Sequence, residues 1–237
     1  MELKELSSRL SGKSIADSLR ELVSAYPGKV IFTTSFGIED QVITHIIFSN
    51  DIPVEVVTLD TGRLFPETYK VFAETVIKYK KKISVCLPDQ SGVEKMVTEK
   101  GPFSFYESKD NRMECCFLRK VVPLNRALNG KSVWVTGIRA DQSGNRSEMT
   151  DLEFDHSKKI IKYHPLFNWS LEDVERFLKE NDVPYNSLHD KGFLSIGCEP
   201  CTRPVIKGQD FRSGRWWWET DSAKECGCHV RYADTIS

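Results

Sequence analysis

Val30-Ile31-Phe32-Thr33-Thr34-Ser35-Phe36-Gly37-Ile38-Glu39-Asp40 is the stretch on which the fold turns. Its first five residues are apolar or β-branched and read as a buried strand; a short turn closes on glycine, and residues 39–48 resume at helical spacing. A strand, a tight turn and a helix together make a phosphate-sized cradle, because the first backbone N–H groups of the helix point into the turn unpaired.

The same unit recurs outward from this point. Val54-Glu55-Val56-Val57-Thr58-Leu59 reads as a second strand, ending at Asp60-Thr61-Gly62-Arg63 ahead of a helix that carries Tyr69, Phe72, Ala73, Val76 and Ile77. Residues 83–87 give a third strand, 92–100 a short helix, and 133–137 a further strand leading to Ile138-Arg139-Ala140-Asp141-Gln142-Ser143. Upstream, Ile15, Leu19, Leu22, Val23 and Tyr26 recur at helical spacing until Pro27-Gly28 stops them. Downstream, 160–166 reads as a hydrophobic connection, and Ser170-Leu171-Glu172-Asp173 carries an N-cap signature for a helix running to about Lys179.

Alternating strands and helices imply an α/β fold, a parallel sheet with helices on both faces. From Asn181 onward helical periodicity is lost. The expectation is one domain over 1–237, with a core at 1–180 and an irregular, loop-rich C-terminal appendage at 181–237. Ligands of such sheets bind beyond the carboxyl ends of the strands, so Ser35, residues 60–63 and residues 137–146 should share one crevice.

Two adjacent thiols, Cys115-Cys116, are a poor structural choice unless something soft binds both, since a disulfide between sequence neighbours strains the backbone. Far along the chain stands Cys198-Glu199-Pro200-Cys201, whose spacing lets two thiolates converge. Together the pairs supply four sulfurs, which fit a tetrahedral zinc or a cubane iron-sulfur cluster. A directly adjacent pair suits the cubane better, because each sulfur can take a different iron. A further thiol lies in Lys224-Glu225-Cys226-Gly227-Cys228-His229. Beside glycine and near His229, Cys226 reads either as an exposed nucleophile or, more blandly, as part of a C-x-C-H metal-binding scrap or a frayed terminus.

Composition narrows the partners. Thirty-three Lys and Arg against 34 Asp and Glu give a formal charge of −1, so no global field draws nucleic acid or an anionic membrane. Met1-Glu2-Leu3-Lys4-Glu5-Leu6 lacks the apolar run of a signal peptide and no stretch approaches a bilayer span, so the expected location is cytoplasmic. Seven cysteines there argue for metal and redox chemistry over a disulfide scaffold. Any anion site must be local: Arg119, Lys120, Arg139, Arg146, Arg212 and Arg215 would face one crevice if the loops converge, which suits a substrate with two or three anionic groups. Trp216-Trp217-Trp218 reads as an anchor for the tail or a cover for the substrate, in preference to an RNA-stacking platform.

In order, Thr34-Ser35-Phe36-Gly37-x-Glu39-Asp40, Leu59-Asp60-Thr61-Gly62-Arg63, Cys115-Cys116-x-x-Arg119-Lys120, Gly137-x-Arg139-x-x-Gln142-Ser143-x-x-Arg146, Cys198-x-x-Cys201, Gly214-Arg215-Trp216-Trp217-Trp218-Glu219 and Lys224-Glu225-Cys226-Gly227-x-His229 resemble the motifs of the assimilatory sulfonucleotide reductases, in particular the iron-sulfur adenylyl-sulfate reductases. The resemblance implies an adenine nucleotide α-hydrolase-like, Rossmann-like fold. It further implies reduction of adenosine 5'-phosphosulfate to sulfite and AMP, through a thiosulfonate on Cys226 that thioredoxin or a similar dithiol resolves. By matching position, Lys120, Arg146, Arg212 and Arg215 would bind the phosphosulfate, with Arg139 and His229 also on the substrate. Ser35, Thr61 and Gly62 would hold the nucleotide, and Cys115, Cys116, Cys198 and Cys201 would ligate one 4Fe-4S cluster. Some members with a cluster also accept 3'-phosphoadenylyl sulfate, and a homo-oligomer is compatible with the family. One position departs from the pattern: the tail's usual aliphatic residue between glycine and histidine is here Cys228. Three rivals stand beside this resemblance: a cluster-free reductase of 3'-phosphoadenylyl sulfate, against which the two cysteine pairs speak; an ATP-pyrophosphatase-type adenylylating enzyme with structural zinc, against which stands the absence of its glycine-rich SGGxDS loop; and a zinc-bearing nucleic-acid or protein-binding module, which leaves the Cys226 tail and the strand-end motifs without purpose.

Overall fold

The computed structural model describes residues 3–142, 149–206, 208–219 and 228. Two amphipathic helices, α1 (Leu3–Leu10) and α2 (Ile15–Ala25), precede the first strand; the Ser14 hydroxyl caps α2 by accepting from the Asp17 backbone N–H at 3.1 Å. Then β1 (Val30–Thr34) runs into α3 (Ile38–Ser49), β2 (Glu55–Leu59) into α4 (Pro66–Tyr79), and β3 (Ser84–Cys86) into α5 (Gln90–Lys100). α6 (Lys109–Cys116) continues without a break through a wider π-helical stretch, Phe117–Val121, into α7 (Val122–Leu128). β4 (Val133–Val135), β5 (Leu152–Asp155), β6 (Ile160–Tyr163) and α8 (Leu171–Glu180) follow, α8 opening on a complete capping box between Ser170 and Asp173.

The strands form one sheet in the order β3-β2-β1-β4-β6-β5, with β5 antiparallel to β6 and every other pairing parallel. Period-2 alternation on β1 divides the core: Val30 and Phe32 face α3 and α8, whereas Ile31 packs with Val57, Trp134 and the α7 residues Leu124 and Leu128. α3 is apolar nearly all round because it is enclosed, and even its Glu39, Asp40, Gln41 and Thr44 are buried. Chain direction reverses its order in the sheet between β1 and β4, the switch point at which such sheets open a crevice.

One expectation needs correction. The stretch at 160–166 is not a connection: its start is β6, hydrogen-bonded to β4 and forming a hairpin with β5. Lys162 and His164 obscure its strand character, yet both are fully buried. Lys162 Nζ lies 2.8 Å from Asp155 and 3.7 Å from Glu153, so its charge is met inside the fold. Burial pushes the Asp155 carboxyl up, and the Lys162 ammonium with the Ser157 hydroxyl overcomes this and holds it below the usual carboxylate range. Among the described residues no helix is long and apolar enough to cross a membrane.

Candidate active site

A cleft of about 240 Å³ lies beyond the carboxyl ends of β1, β2 and β4, and Ser35, Thr61, Lys120, Arg212 and Arg215 all line it. Its floor is set by the turn after β1. The Ser35 backbone N–H and hydroxyl both donate to Asp40 Oδ2, at 2.6 and 2.7 Å, and fold the turn back on the first turn of α3. Phe36 takes φ +60°, a left-handed conformation that costs a non-glycine residue about 1 kcal/mol or more. Its ring, buried and stacked on Phe72 at 4.9 Å between centroids, holds it there. Burial drives the Asp40 carboxyl up to about 6, against the two Ser35 bonds, and the neighbouring Glu39 adds to the rise.

Gly137 brings the β4 loop onto this turn. A Cβ there would stand 2.2 Å from Asp40 Oδ1 and 3.2 Å from Glu39 Cβ, so only glycine permits the approach. Arg139 and Gln142 then reach inward to Glu39, whose Oε1 accepts from Arg139 Nε at 2.9 Å and from Gln142 Nε2 at 2.8 Å. Arg139 is 2 % exposed and does not line the cleft, so its guanidinium braces the floor. Gly62 also stays off the cleft wall; its φ of +68° and its N–H bond to Asp60 Oδ1 at 2.8 Å shape the loop that presents Thr61. Arg119 is buried behind the same loop, donating to the Thr61 carbonyl at 2.7 Å. Of the six cations anticipated at the crevice, Lys120, Arg212 and Arg215 are therefore on it. Arg146, together with Ser143, Cys226 and His229, lies outside the described residues. Cys228 is described: it is buried beside Ile31, Leu124 and Trp134 and contributes to the cleft wall.

Next to the cleft, Cys115, Cys116, Cys198 and Cys201 are buried together with Met96, Phe105 and Trp216 around a small chamber. The two pairs arrive from the end of α6 and from a 3₁₀ turn at Glu199–Cys201. Backbone bonds strap the second pair in place, from Glu199 N–H to the Arg63 carbonyl at 2.8 Å and from Trp216 N–H to the Cys201 carbonyl at 3.2 Å. Arg63, Arg112, Arg119 and Lys120 line the same chamber, and Thr61 Oγ1 lies 3.3 Å from Cys198 Sγ. Lys120 thus belongs to both walls.

These residues fit an iron-sulfur group by their chemistry. All four thiols stand outside any disulfide, enclosed and surrounded by cations able to offset a cluster's negative charge. Burial, then the neighbouring Cys198 and Cys116 sulfurs, push the Cys201 thiol up to about 12, so its thiolate is favoured by a bound cationic centre. Among the described residues no three His, Cys, Asp or Glu side chains converge on a single metal-ion position, and the fit rests on the thiols and their setting.

Arg215 is placed by two glycines. A Cβ on Gly197 would lie 2.2 Å from Arg215 Nη2, and one on Gly214 would lie 2.3 Å from the Arg203 carbonyl. The Arg215 guanidinium sits 4.7 Å from the Trp216 ring centroid, and that of Arg112 lies 4.8 Å from the same ring. Trp216 is therefore a buried cation platform at the root of the tail. Sequence reading also passed over His189 and Trp134 on the cleft wall. His189 follows a turn made by Asn186, whose buried amide donates to Thr68 at 3.1 Å; a polar Asn-Ser-Leu-His run carries no periodic signal that would mark it.

The model of the phosphoadenosine phosphosulfate reductase domain matches residues 29–204. The adenosine 5'-phosphosulfate reductase of Agrobacterium fabrum is 43 % identical over 229 residues, covering 97 % of this chain and 88 % of the relative. That of Sinorhizobium fredii is 45 % identical over 232 residues, covering 98 % and 92 %. Among solved structures, phosphoadenylyl-sulfate (PAPS) reductase from Candida auris, in a phosphate complex, superposes with a TM-score of 0.73 at 30 % identity, covering 86 % of this chain and 96 % of that one. Candida glabrata FMN adenylyltransferase, at 18 % identity and a TM-score of 0.54 over 87 % and 74 % of the two chains, shares the fold.

Proposed function

Because the chain belongs to the phosphoadenosine phosphosulfate reductase domain family, an enzyme family, we propose that it reduces adenosine 5'-phosphosulfate to sulfite and AMP in sulfate assimilation. The observation that carries this reading is a single cation, Lys120, shared by a nucleotide-sized cleft and a chamber of four buried thiols, with Arg212 and Arg215 on the same cleft wall. Those three side chains, with Arg146, are assigned to the phosphosulfate; they favour negative charge growing on the phosphate as the sulfur–oxygen bond breaks. Ser35, Thr61 and Gly62 shape the nucleotide's seat.

Cys226 is the nucleophile in this reading. Its thiolate forms a bond to the sulfur of the phosphosulfate, the bond from sulfur to the phosphate oxygen breaks, and AMP leaves. A dithiol such as thioredoxin then attacks Cys226 Sγ; sulfite departs with the electron pair, and the second thiol closes the donor's disulfide while freeing the Cys226 thiolate. Two electrons thus pass from dithiol to sulfur. Cys115, Cys116, Cys198 and Cys201 would hold a 4Fe-4S cluster, which when bound supplies an electrostatic bias to the adjoining site. The whole chain serves as one domain, working in the cytoplasm, where dithiol donors stay reduced.

The test is anaerobic purification, iron and sulfide analysis, and sulfite release from adenosine 5'-phosphosulfate and 3'-phosphoadenylyl sulfate with thioredoxin as donor. Expected are an iron-sulfur chromophore, preference for the nucleotide without the 3'-phosphate, and a sulfonated wild-type enzyme that Cys226→Ser cannot form. A zinc protein without sulfite release would overturn the proposal.

A further inference from the structure

His189 lines the cleft with a buried ring nitrogen, Nε2, that forms no hydrogen bond with any of the described residues. The ring also interacts with the Phe193 backbone in the sense that favours an N–H directed at it. In the tautomer that carries its proton on Nδ1, the neutral imidazole presents a lone pair at Nε2. Burial lowers the ring's pKa from its ordinary value, against the opposing influence of Glu39, the Phe193 backbone and Asp190, and so favours the neutral ring. A buried acceptor without a partner costs folding free energy and is retained where a ligand satisfies it.

The cleft has two electrostatic ends. Lys120 lines both the cleft and the cysteine chamber, whereas His189 and Glu39 line the cleft and not the chamber. An anion drawn to the first end leaves the neutral part of a nucleotide toward the second. The groups there that can donate to a lone pair are the sugar hydroxyls. Resting on the reductase reading above, we propose that His189 is a specificity-determining residue whose Nε2 accepts a hydrogen bond from a ribose hydroxyl of the bound nucleotide. A phosphate at that hydroxyl would remove the donor and set its oxygens against the lone pair.

The test is equilibrium binding of AMP, 2'-deoxy-AMP and 3'-deoxy-AMP to the wild type and to His189→Ala. One deoxynucleotide should bind the wild type roughly threefold to tenfold more weakly than AMP, and that penalty should vanish in the variant. The analogue that carries the penalty identifies the hydroxyl. A wild type indifferent to both deletions, or a penalty of undiminished size in His189→Ala, overturns the proposal. A wild type that binds no AMP sinks the reductase reading itself. Should the variant fail to fold, nitrogen-15 spectra of the wild-type imidazole decide: Nε2 must be unprotonated without ligand and shift with AMP but not with the penalised analogue, and a protonated or unresponsive Nε2 refutes it.

Discussion

Arg112 and Glu219 form a buried, two-pronged ion pair, Nε to Oε1 at 2.8 Å and Nη2 to Oε2 at 2.9 Å, with side chains 3 % and 7 % exposed. The pair joins α6, which ends in Cys115 and Cys116, to the residue that follows the three tryptophans. Burial opposes the Arg112 charge, and Glu219 with the nearby Cys116 more than restores it, so the guanidinium's pKa stands above its ordinary value. Cysteine helix and tail root are held by one charge.

Breaking such a pair leaves an uncompensated buried charge. Arg112→Ala and Glu219→Ala should each cost about 3–5 kcal/mol, while the double variant should cost clearly less than their sum. Urea denaturation of the anaerobic protein in a double-mutant cycle measures this. A coupling below about 0.5 kcal/mol would show that the pair is incidental.

Gly137→Ala should strike the cleft floor. The new methyl would meet Asp40 Oδ1, whose partner oxygen is held by Ser35, so the carboxylate cannot swing away without breaking the turn. The expected cost is about 1–3 kcal/mol with a loss of AMP affinity. In an Asp40→Ala background, where the obstructing carboxylate is gone, the stability cost of Gly137→Ala should largely disappear. An equal cost in both backgrounds would place the strain elsewhere.

The strand-turn-helix units were legible because short strand runs rich in apolar and β-branched residues and period-3.6 helices leave strong local patterns. The sheet edge at β5 and β6 was not: Lys162 and His164 interrupt the apolar run, and it is tertiary pairing, of Lys162 with Glu153 and Asp155 and of His164 with Thr136, that accommodates them in the core. Arg139 shows the same limit at the site. Residue type and loop position put it among ligand cations, but Glu39, one hundred residues earlier, captures it in the core. Ser35, Thr61, Lys120, Arg212 and Arg215 were readable as a set because each follows a strand end or flanks a cysteine or tryptophan motif. His189, set by a turn through Asn186, has no such neighbour.

Gly197→Ala and Gly214→Ala should separate substrate binding from stability. At Gly197 the obstructing atoms belong to the Arg215 side chain, which can move; at Gly214 the obstruction is the Arg203 backbone carbonyl, which cannot move cheaply. Gly197→Ala should therefore raise the KM for the nucleotide roughly tenfold to a hundredfold, as expected for losing a charged hydrogen bond. Gly214→Ala should lower Tm by more than Gly197→Ala does. Steady-state kinetics with thermal unfolding of both variants checks this, and an unchanged KM in Gly197→Ala would remove Arg215 from the substrate.

Asp40 gives a pH signature with a fixed sign. Its folded pKa of about 6 stands above the 3.8 of the free side chain, so between those values the folded state binds the extra proton. The associated stability is fully present below about pH 4 and is lost as pH rises through about 6. Across that window the stability of the wild type should fall by up to roughly 3 kcal/mol relative to Asp40→Asn, in which the group no longer titrates. Denaturation of both proteins at pH 4, 5, 6 and 7 isolates the term, because every other ionisable group is shared. A difference that stays flat, or that grows with pH, would mean that the Ser35 hydrogen bonds outweigh burial and that Asp40 is ionised throughout.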